Sequence, residues 1–215
     1  MTTLGTIGAG SIGSNVARAA LTHGHDVVLS NSRGPDTLGE VVSALGTRAR
    51  AGTVQDAASE GDVVLVAIPL KNYRSVPAAA VGDKIVIDAD NYYPQRDGHI
   101  PELDDERTTS AELLQAHLPE AKVVKTFNHI QAAQIVSDGT PPGTPDRRAL
   151  AIAGDDQAAK DTVAALLDEF GFDVVDAGPL AEGWRFQPDT PAYGARQNAE
   201  QTRANLAAAR RHRDM

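Results

Sequence analysis

Apolar positions along this chain fall into short blocks with two different periods, and the blocks alternate. Thr3 to Ile7 is a brief apolar strand, Val16, Ala17, Ala20 and Leu21 recur at helical spacing, and Asp26-Val27-Val28-Leu29-Ser30 is strand-like again. Asp36 to Leu45 puts Leu38, Val41, Val42 and Leu45 on one helical face, closed by Gly46. A polar strand from Arg48 to Thr53 and a short helix from Val54 to Ser59 follow. Asp62 to Pro69 is a continuous apolar run ended by proline, as suits a central parallel strand covered on both faces. Tyr73 to Ala80 predicts a helix, Lys84 to Asp90 a fifth strand, and Asn91 to Glu106 a loop rich in Pro, Gly and acids. Ser110 to His117 predicts a helix and Lys122 to Phe127 a sixth strand, with another helix beginning near Ile130. Ala149–Ala153, Asp156–Phe170 and Asp173–Asp176 repeat strand, helix and strand more weakly. Ala181 to Tyr193 is irregular, and a last alanine-rich helix runs from about Arg196 to Arg210 with Leu206 as its anchor.

This alternation predicts an α/β fold, a Rossmann-like doubly wound, mostly parallel sheet with a small C-terminal helical extension. Residues 1–180 form the sheet domain, and residues 181–215 a loop and helix packed on it or on a partner subunit. Right-handed crossovers would put a ligand crevice at the carboxyl ends of the strands.

Gly8-Ala9-Gly10-Ser11-Ile12-Gly13 sits where the first strand turns into its helix. In that context each glycine has a task. Gly8 permits the tight turn, Gly10 lets a pyrophosphate approach bare backbone, and Gly13 lets helix and strand pack closely. Ser11 and Ile12 open the helix, whose unpaired N–H groups favour an anion. NAD-specific sites carry an acid about 20 residues later to bond the ribose hydroxyls. Here that place falls on Ser30-Asn31-Ser32-Arg33, so no carboxylate repels an added phosphate and Arg33 offers it a guanidinium fork. NADP(H) is therefore expected over NAD, with residues 1–180 as an NADP-binding domain.

Composition narrows the rest. The chain has 215 residues and a net charge of -9, with no basic block beyond Arg210-Arg211-His212-Arg213, so nucleic acid is not expected as a partner. That basic tail is expected to complement the end of the last helix. Cysteine is absent, which excludes disulfides, thiolate metal sites and thiol catalysis. The amino terminus enters a strand at once, leaving no room for a signal peptide, and no apolar run reaches bilayer length. A cytoplasmic protein without a membrane partner is the expectation. No metal site is expected: His23 and His25 lack a third ligand, and Asp104-Asp105-Glu106 lacks the spacing of a calcium loop.

Strand-end residues should line the crevice: Ile68-Pro69, Asp90-Asn91 and Asn128-His129. Pro69 could present a flat apolar wall to a nicotinamide, or simply end its strand. His129 could bond an acceptor ring or stabilise developing charge, or cap a following helix, a role for which Asn128 competes. His129, Asn128 and Pro69 are thus the catalytic candidates. Ile68, Pro69, Asp90 and Asn91 join Gly8, Gly10, Ser11, Ile12, Gly13, Asn31, Ser32 and Arg33 as cofactor-binding candidates. Tyr92, Tyr93 and Trp184 could stack on a flat substrate or serve ordinary packing. Hydride transfer between stacked rings needs orientation and a dry site more than an acid or base, so no diagnostic dyad is required.

Gly8-Ala9-Gly10-Ser11-Ile12-Gly13, Ser30-Asn31-Ser32-Arg33, Val66-Ala67-Ile68-Pro69, Lys125-Thr126-Phe127-Asn128 and Asp176-Ala177-Gly178-Pro179-Leu180 occur in this order. Together they resemble the NADPH:F420 oxidoreductase family (F420-dependent NADP reductases), whose NADP-binding domain is similar to that of the STEAP metalloreductases. The resemblance implies a compact Rossmann domain, often dimeric, in which a hydride moves between NADP(H) and a deazaflavin. The phosphate turn departs from the G-G-T-G-x-L-G common in that family, and Asp90-Asn91-Tyr92-Tyr93-Pro94 looks like a subgroup feature. The expected protein is an NADPH-dependent reductase of a small planar acceptor, most simply coenzyme F420, working as a homodimer. A flavin or ferric-chelate reductase and a non-catalytic NADP(H) sensor are the alternatives. A 3-hydroxyacid dehydrogenase would need a large helical domain with a catalytic lysine, and residues 181–215 contain no lysine.

Overall fold

A computed structural model describes residues 1–211; His212 and Arg213 of the basic tail lie outside the described residues. The first half runs β1 (Thr3–Ile7), α1 (Ser11–Thr22), β2 (Asp26–Ser30), α2 (Gly39–Leu45), β3 (Ala49–Ala51), α3 (Val54–Glu60) and β4 (Val63–Val66). The middle holds short pieces: α4 (Ala78–Val81), β5 (Ile85–Asp88), α5 (Pro94–Asp97), α6 (Pro101–Asp104), α7 (Ser110–His117), β6 (Lys122–Lys125) and α8 (Gln134–Ser137). β7 (Ala149–Gly154), α9 (Gln157–Glu169), β8 (Asp173–Asp176) and α10 (Ala199–Ala208) complete the chain.

The strands form one eight-stranded sheet in the order β3-β2-β1-β4-β5-β6-β7-β8. All neighbours are parallel except β6 and β7. β1 and β4 are adjacent although two strands, β2 and β3, lie between them in sequence, so strand order reverses between them and a crevice opens at their carboxyl ends. All of β4 is buried, as its unbroken apolar run requires of a strand covered on both sides. One face packs Val16, Leu21, Leu65 and Phe127 against Leu167 and Phe170; the other packs Val28, Val64, Val86 and Val123 against Ala57 and Leu114. Capping boxes at Thr53 and Asp56, and at Thr109 and Glu112, start α3 and α7.

Several expected boundaries move, each for a local reason. The helix expected from Tyr73 to Ala80 is a 3-10 segment, Leu70–Ser75, followed by α4, because Pro77 interrupts it. The 91–106 loop contains two single helical turns, α5 and α6, each opened by a proline. β5 stops at Asp88, and the Asp90 N–H then bonds the Asp88 carboxylate (2.8 Å) rather than a neighbouring strand. β6 stops at Lys125, and Phe127 adopts φ 61°, turning the chain away. No helix begins at Ile130; the chain passes through turns to the short α8.

β7 therefore extends past the end of β6, pairing with it only at Val124–Gly154 and Lys125–Ala153. The C-terminal piece covers this part of the sheet: Phe186, Ala192 and Leu206 pack on Ala149, Ala151 and Val175. No helix among the described residues is long and apolar enough to cross a membrane.

Candidate functional site

The glycine turn is a fitted cradle. Gly8 has φ 112° and donates its N–H to Ser30 O (3.1 Å), tying the turn to the end of β2. A Cβ on Gly13 would stand 1.9 Å from Gly8 O, so only glycine fits there. Gly10 faces open space, with nothing within 4 Å of where a Cβ would lie. It is also the N-cap of α1 and supplies no side-chain cap, which leaves the helix start open to an external anion. This cradle suits a pyrophosphate.

At the end of β2, Asn31 Oδ1 accepts the Arg33 N–H (2.8 Å) and Asn31 Nδ2 donates to Thr37 Oγ1 (2.9 Å), which bends the chain around Ser32 and Arg33. The Arg33 side chain is exposed. Gly8 and Gly10, Asn31 to Arg33, Thr37, Asn72 and Ser75 border one cavity of about 510 Å³. Thr37, Asn72 and Ser75 escaped the sequence reading; Thr37 alone carried a signal, as a hydroxyl one turn beyond Arg33.

Ala67, Ile68, Pro69 and Gly10 also border a second cavity, of about 290 Å³. The two form one crevice that crosses the sheet at its switch point. Ser11, Ile12, Asp90, Asn91 and Asn128 line the second half together with Tyr93, Arg96 and Tyr193. The strand ends are locked by a buried ionic set. Lys125 Nζ bonds Asp88 Oδ2 (2.9 Å), Ser110 Oγ (3.3 Å) and the Asp90 carbonyl, with both charged side chains at most 2% exposed. Such a pair holds only when its remaining valences are satisfied, and this one bolts β5 to β6 beneath the crevice. Asp90 Oδ1 accepts the Ile68 N–H (2.8 Å), which links the β4 and β5 ends. Burial, and then the Asp88 charge, push the Asp90 carboxyl well above its ordinary range.

Asn128 does not cap a helix. Its amide donates to Phe186 O (3.0 Å) and Asn91 Oδ1 (3.1 Å), while Asn91 Nδ2 returns a bond to Asn128 O (2.7 Å). His129 requires a correction: it is buried, and it is not among the residues lining the crevice. Its Nε2 accepts the Ala151 N–H (3.0 Å) and its Nδ1 lies 3.3 Å from Asn128 Oδ1. Because β6 turns away early, Ala151 has no strand partner on that side, and the imidazole takes that place. Burial, then the positive Arg148 and Lys125, lower its pKa to about 3, so the ring is neutral.

Of the aromatic candidates only Tyr93 reaches the crevice. Tyr92 bonds Asp104 (2.6 Å) and Gly98 O (3.1 Å) within its own loop. Trp184 lies between the guanidiniums of Arg185 (4.6 Å) and Arg211 (4.8 Å), away from it. Tyr193, which the sequence reading left in an irregular segment, lines it instead. His25 pairs with Glu169 (2.8 Å), and no metal-binding group of His, Asp or Glu occurs among the described residues.

Residues 3–92 match the family described as "NADP oxidoreductase coenzyme F420-dependent". The solved structure of the hypothetical protein SMa0349 from Sinorhizobium meliloti is similar at TM-score 0.78 and 32% identity, covering 92% of this chain and 96% of that one. A candidate F420-dependent NADP-reductase from Arthrobacter sp. FB24 is similar at TM-score 0.69 and 28% identity, covering 83% and 85%. Metalloreductase STEAP3 of Rattus norvegicus is 29% identical over 180 residues, 83% of this chain. The matches span only 34% and 39% of the length of the curated relatives.

Proposed function

The chain belongs to the F420-dependent NADP oxidoreductase family, and from that premise we propose that it moves a hydride between NADPH and a planar acceptor, most simply coenzyme F420. The observation that carries this reading is the single crevice running from Arg33, past the bare backbone of Gly10, to Pro69 and Asn128. Gly8, Gly10, Gly13 and the first turn of α1, with Ser11 and Ile12, would hold the pyrophosphate. Asn31, Ser32 and Arg33 would hold the added ribose phosphate. Ile68 and Pro69 would form the wall against which a nicotinamide lies, with Asp90, Asn91 and Asn128 setting the floor. When bound, NADPH supplies the hydride; the protein orients the two rings and keeps water away.

The direct test mixes purified protein, NADPH and F420 and follows the deazaflavin absorbance. Loss of the oxidised band is expected, and no change at substrate-level enzyme removes the F420 reading. A flavin or ferric chelate as acceptor is the second reading, favoured by the similarity to STEAP3 over 83% of the chain. A sensor would bind NADP(H) yet reduce none of these acceptors. A homodimer is part of the same proposal, checked by light scattering.

A further inference from the structure

We propose that Tyr93 and Tyr193 form a proton-delivering pair at the acceptor end of the crevice, so that the acceptor is an organic ring that takes up a proton with its hydride. A ferric chelate, which takes electrons alone, would not need them. The inference rests on the reductase reading and narrows its substrate class.

Both tyrosines line the smaller cavity, and their hydroxyls are 2.6 Å apart. Neither phenol oxygen has another hydrogen-bond partner among the described residues. Two hydroxyls carry two protons, and the mutual bond uses one. The other O–H remains for whatever enters the crevice. Arg96 sits over the Tyr93 ring at 4.9 Å, and is itself held by Asp97 (2.9 Å) and by Asn91 O (2.8 Å). A cation fixed at that distance, with the second phenol as donor, stabilises the phenolate that proton transfer leaves. Asp97, Asp90 and Asp189 are the carboxylates whose fields reach this cluster: Asp97 is paired with Arg96, Asp90 also acts on Arg96, and Asp189 acts on Tyr193. Burial and the neighbouring phenol push the Tyr193 hydroxyl up, so it stays protonated at neutral pH. The segment bearing Tyr193 is anchored where it must be: Gly194 N–H donates to His129 O (2.9 Å), on the loop that also carries Asn128.

The step balances. A hydride brings two electrons to a ring carbon (in a deazaflavin) or ring nitrogen (in a flavin) and leaves NADP⁺. One phenol O–H bond breaks, and its proton goes to the ring nitrogen or carbonyl oxygen where charge develops. The phenolate then recovers a proton from water through its partner.

Tyr93→Phe and Tyr193→Phe keep the rings and remove one hydroxyl each. With F420 and NADPH, kcat is expected to fall roughly 100-fold in each, with NADPH affinity within about twofold and ferric citrate reduction, if the wild type shows any, unchanged. A second readout needs no turnover: alkaline titration of Tyr93→Phe near 295 nm should show Tyr193 ionising at lower pH than in the wild type, because the neighbouring phenol that pushes it up is gone. Unchanged kcat with F420 in both variants overturns the proposal, as does an equal loss with ferric citrate. So does a lower melting temperature with full activity in the folded fraction, the mark of a mere latch. If wild-type protein reduces ferric citrate but neither F420 nor FMN, the reductase reading stands and the proposal is overturned. If it reduces none of the three, the reductase reading itself fails and the pair's role falls with it.

Discussion

The half of the crevice around Arg33 and the half around Tyr93 are made of different material. Around Arg33, residues 8–13 and 31–33 lie within one strand–helix–strand unit and offer mostly backbone and a turn. Around Tyr93, the lining comes from the ends of β4, β5 and β6 and from the C-terminal segment, and it offers side chains. The first half is suited to what a dinucleotide-binding fold must hold, phosphate, for which backbone N–H groups suffice. The second half, where the proposed acceptor would enter, presents hydroxyls, amides and a guanidinium placed by long-range packing. The backbone lining is thus local in the chain, and the side-chain lining is not.

The sharpest way to break this comparison is inside the glycine turn. Gly13→Val should cost several kcal/mol, because its Cβ would lie 1.9 Å from Gly8 O; a large drop in melting temperature checks it. Gly10→Ala meets nothing within 4 Å and should leave the melting temperature unchanged while weakening NADPH at least tenfold. Equal effects at the two glycines would mean that Gly10 serves the fold rather than a ligand.

On the other side, His129→Leu should destabilise by about 1–3 kcal/mol, since it leaves the buried Ala151 N–H unpaired. The native imidazole is neutral down to about pH 3, whereas the unfolded one titrates near 6.5. Between those values the unfolded chain binds the extra proton, so stability is complete above pH 6.5 and declines as pH falls toward 3. The leucine variant should show a shallower acid decline in urea melts.

Arg33→Gln should weaken NADPH roughly 10- to 100-fold and leave NADH nearly unchanged, as expected for one charged bond to a phosphate. Calorimetric titration of both nucleotides reads the difference. The smallest effect is expected at Asp90→Asn. The native carboxyl titrates well above 3.8, so the folded state holds its proton longer than the unfolded one, and stability falls as pH rises through that interval. The amide removes that fall and should raise stability at pH 8 by up to about 1 kcal/mol.

The sheet and its order of elements were legible because β4 and its neighbours have the apolar runs that parallel strands need. Strand ends at the crevice were read too long, since Asp90 and Phe127 leave the sheet through a side-chain bond and a positive φ that no periodicity records. His129 was read as a ligand-facing group because it follows a strand end. Its actual partner, Ala151, is exposed to it only because β6 stops short of β7. Tyr193 gave no signal at all, lying a hundred residues beyond the tyrosine it bonds.

What residues 3–33 determined unaided was the phosphate turn and the absence of an acid at the ribose position, because both requirements are met within one βαβ unit. Which side chains line the other half of the crevice was decided only by the tertiary structure. Hydroxyls, amides and charges from segments far apart in sequence acquire a shared chemistry only when strand order, the buried Lys125–Asp88 bolt and the C-terminal cover bring them to one place.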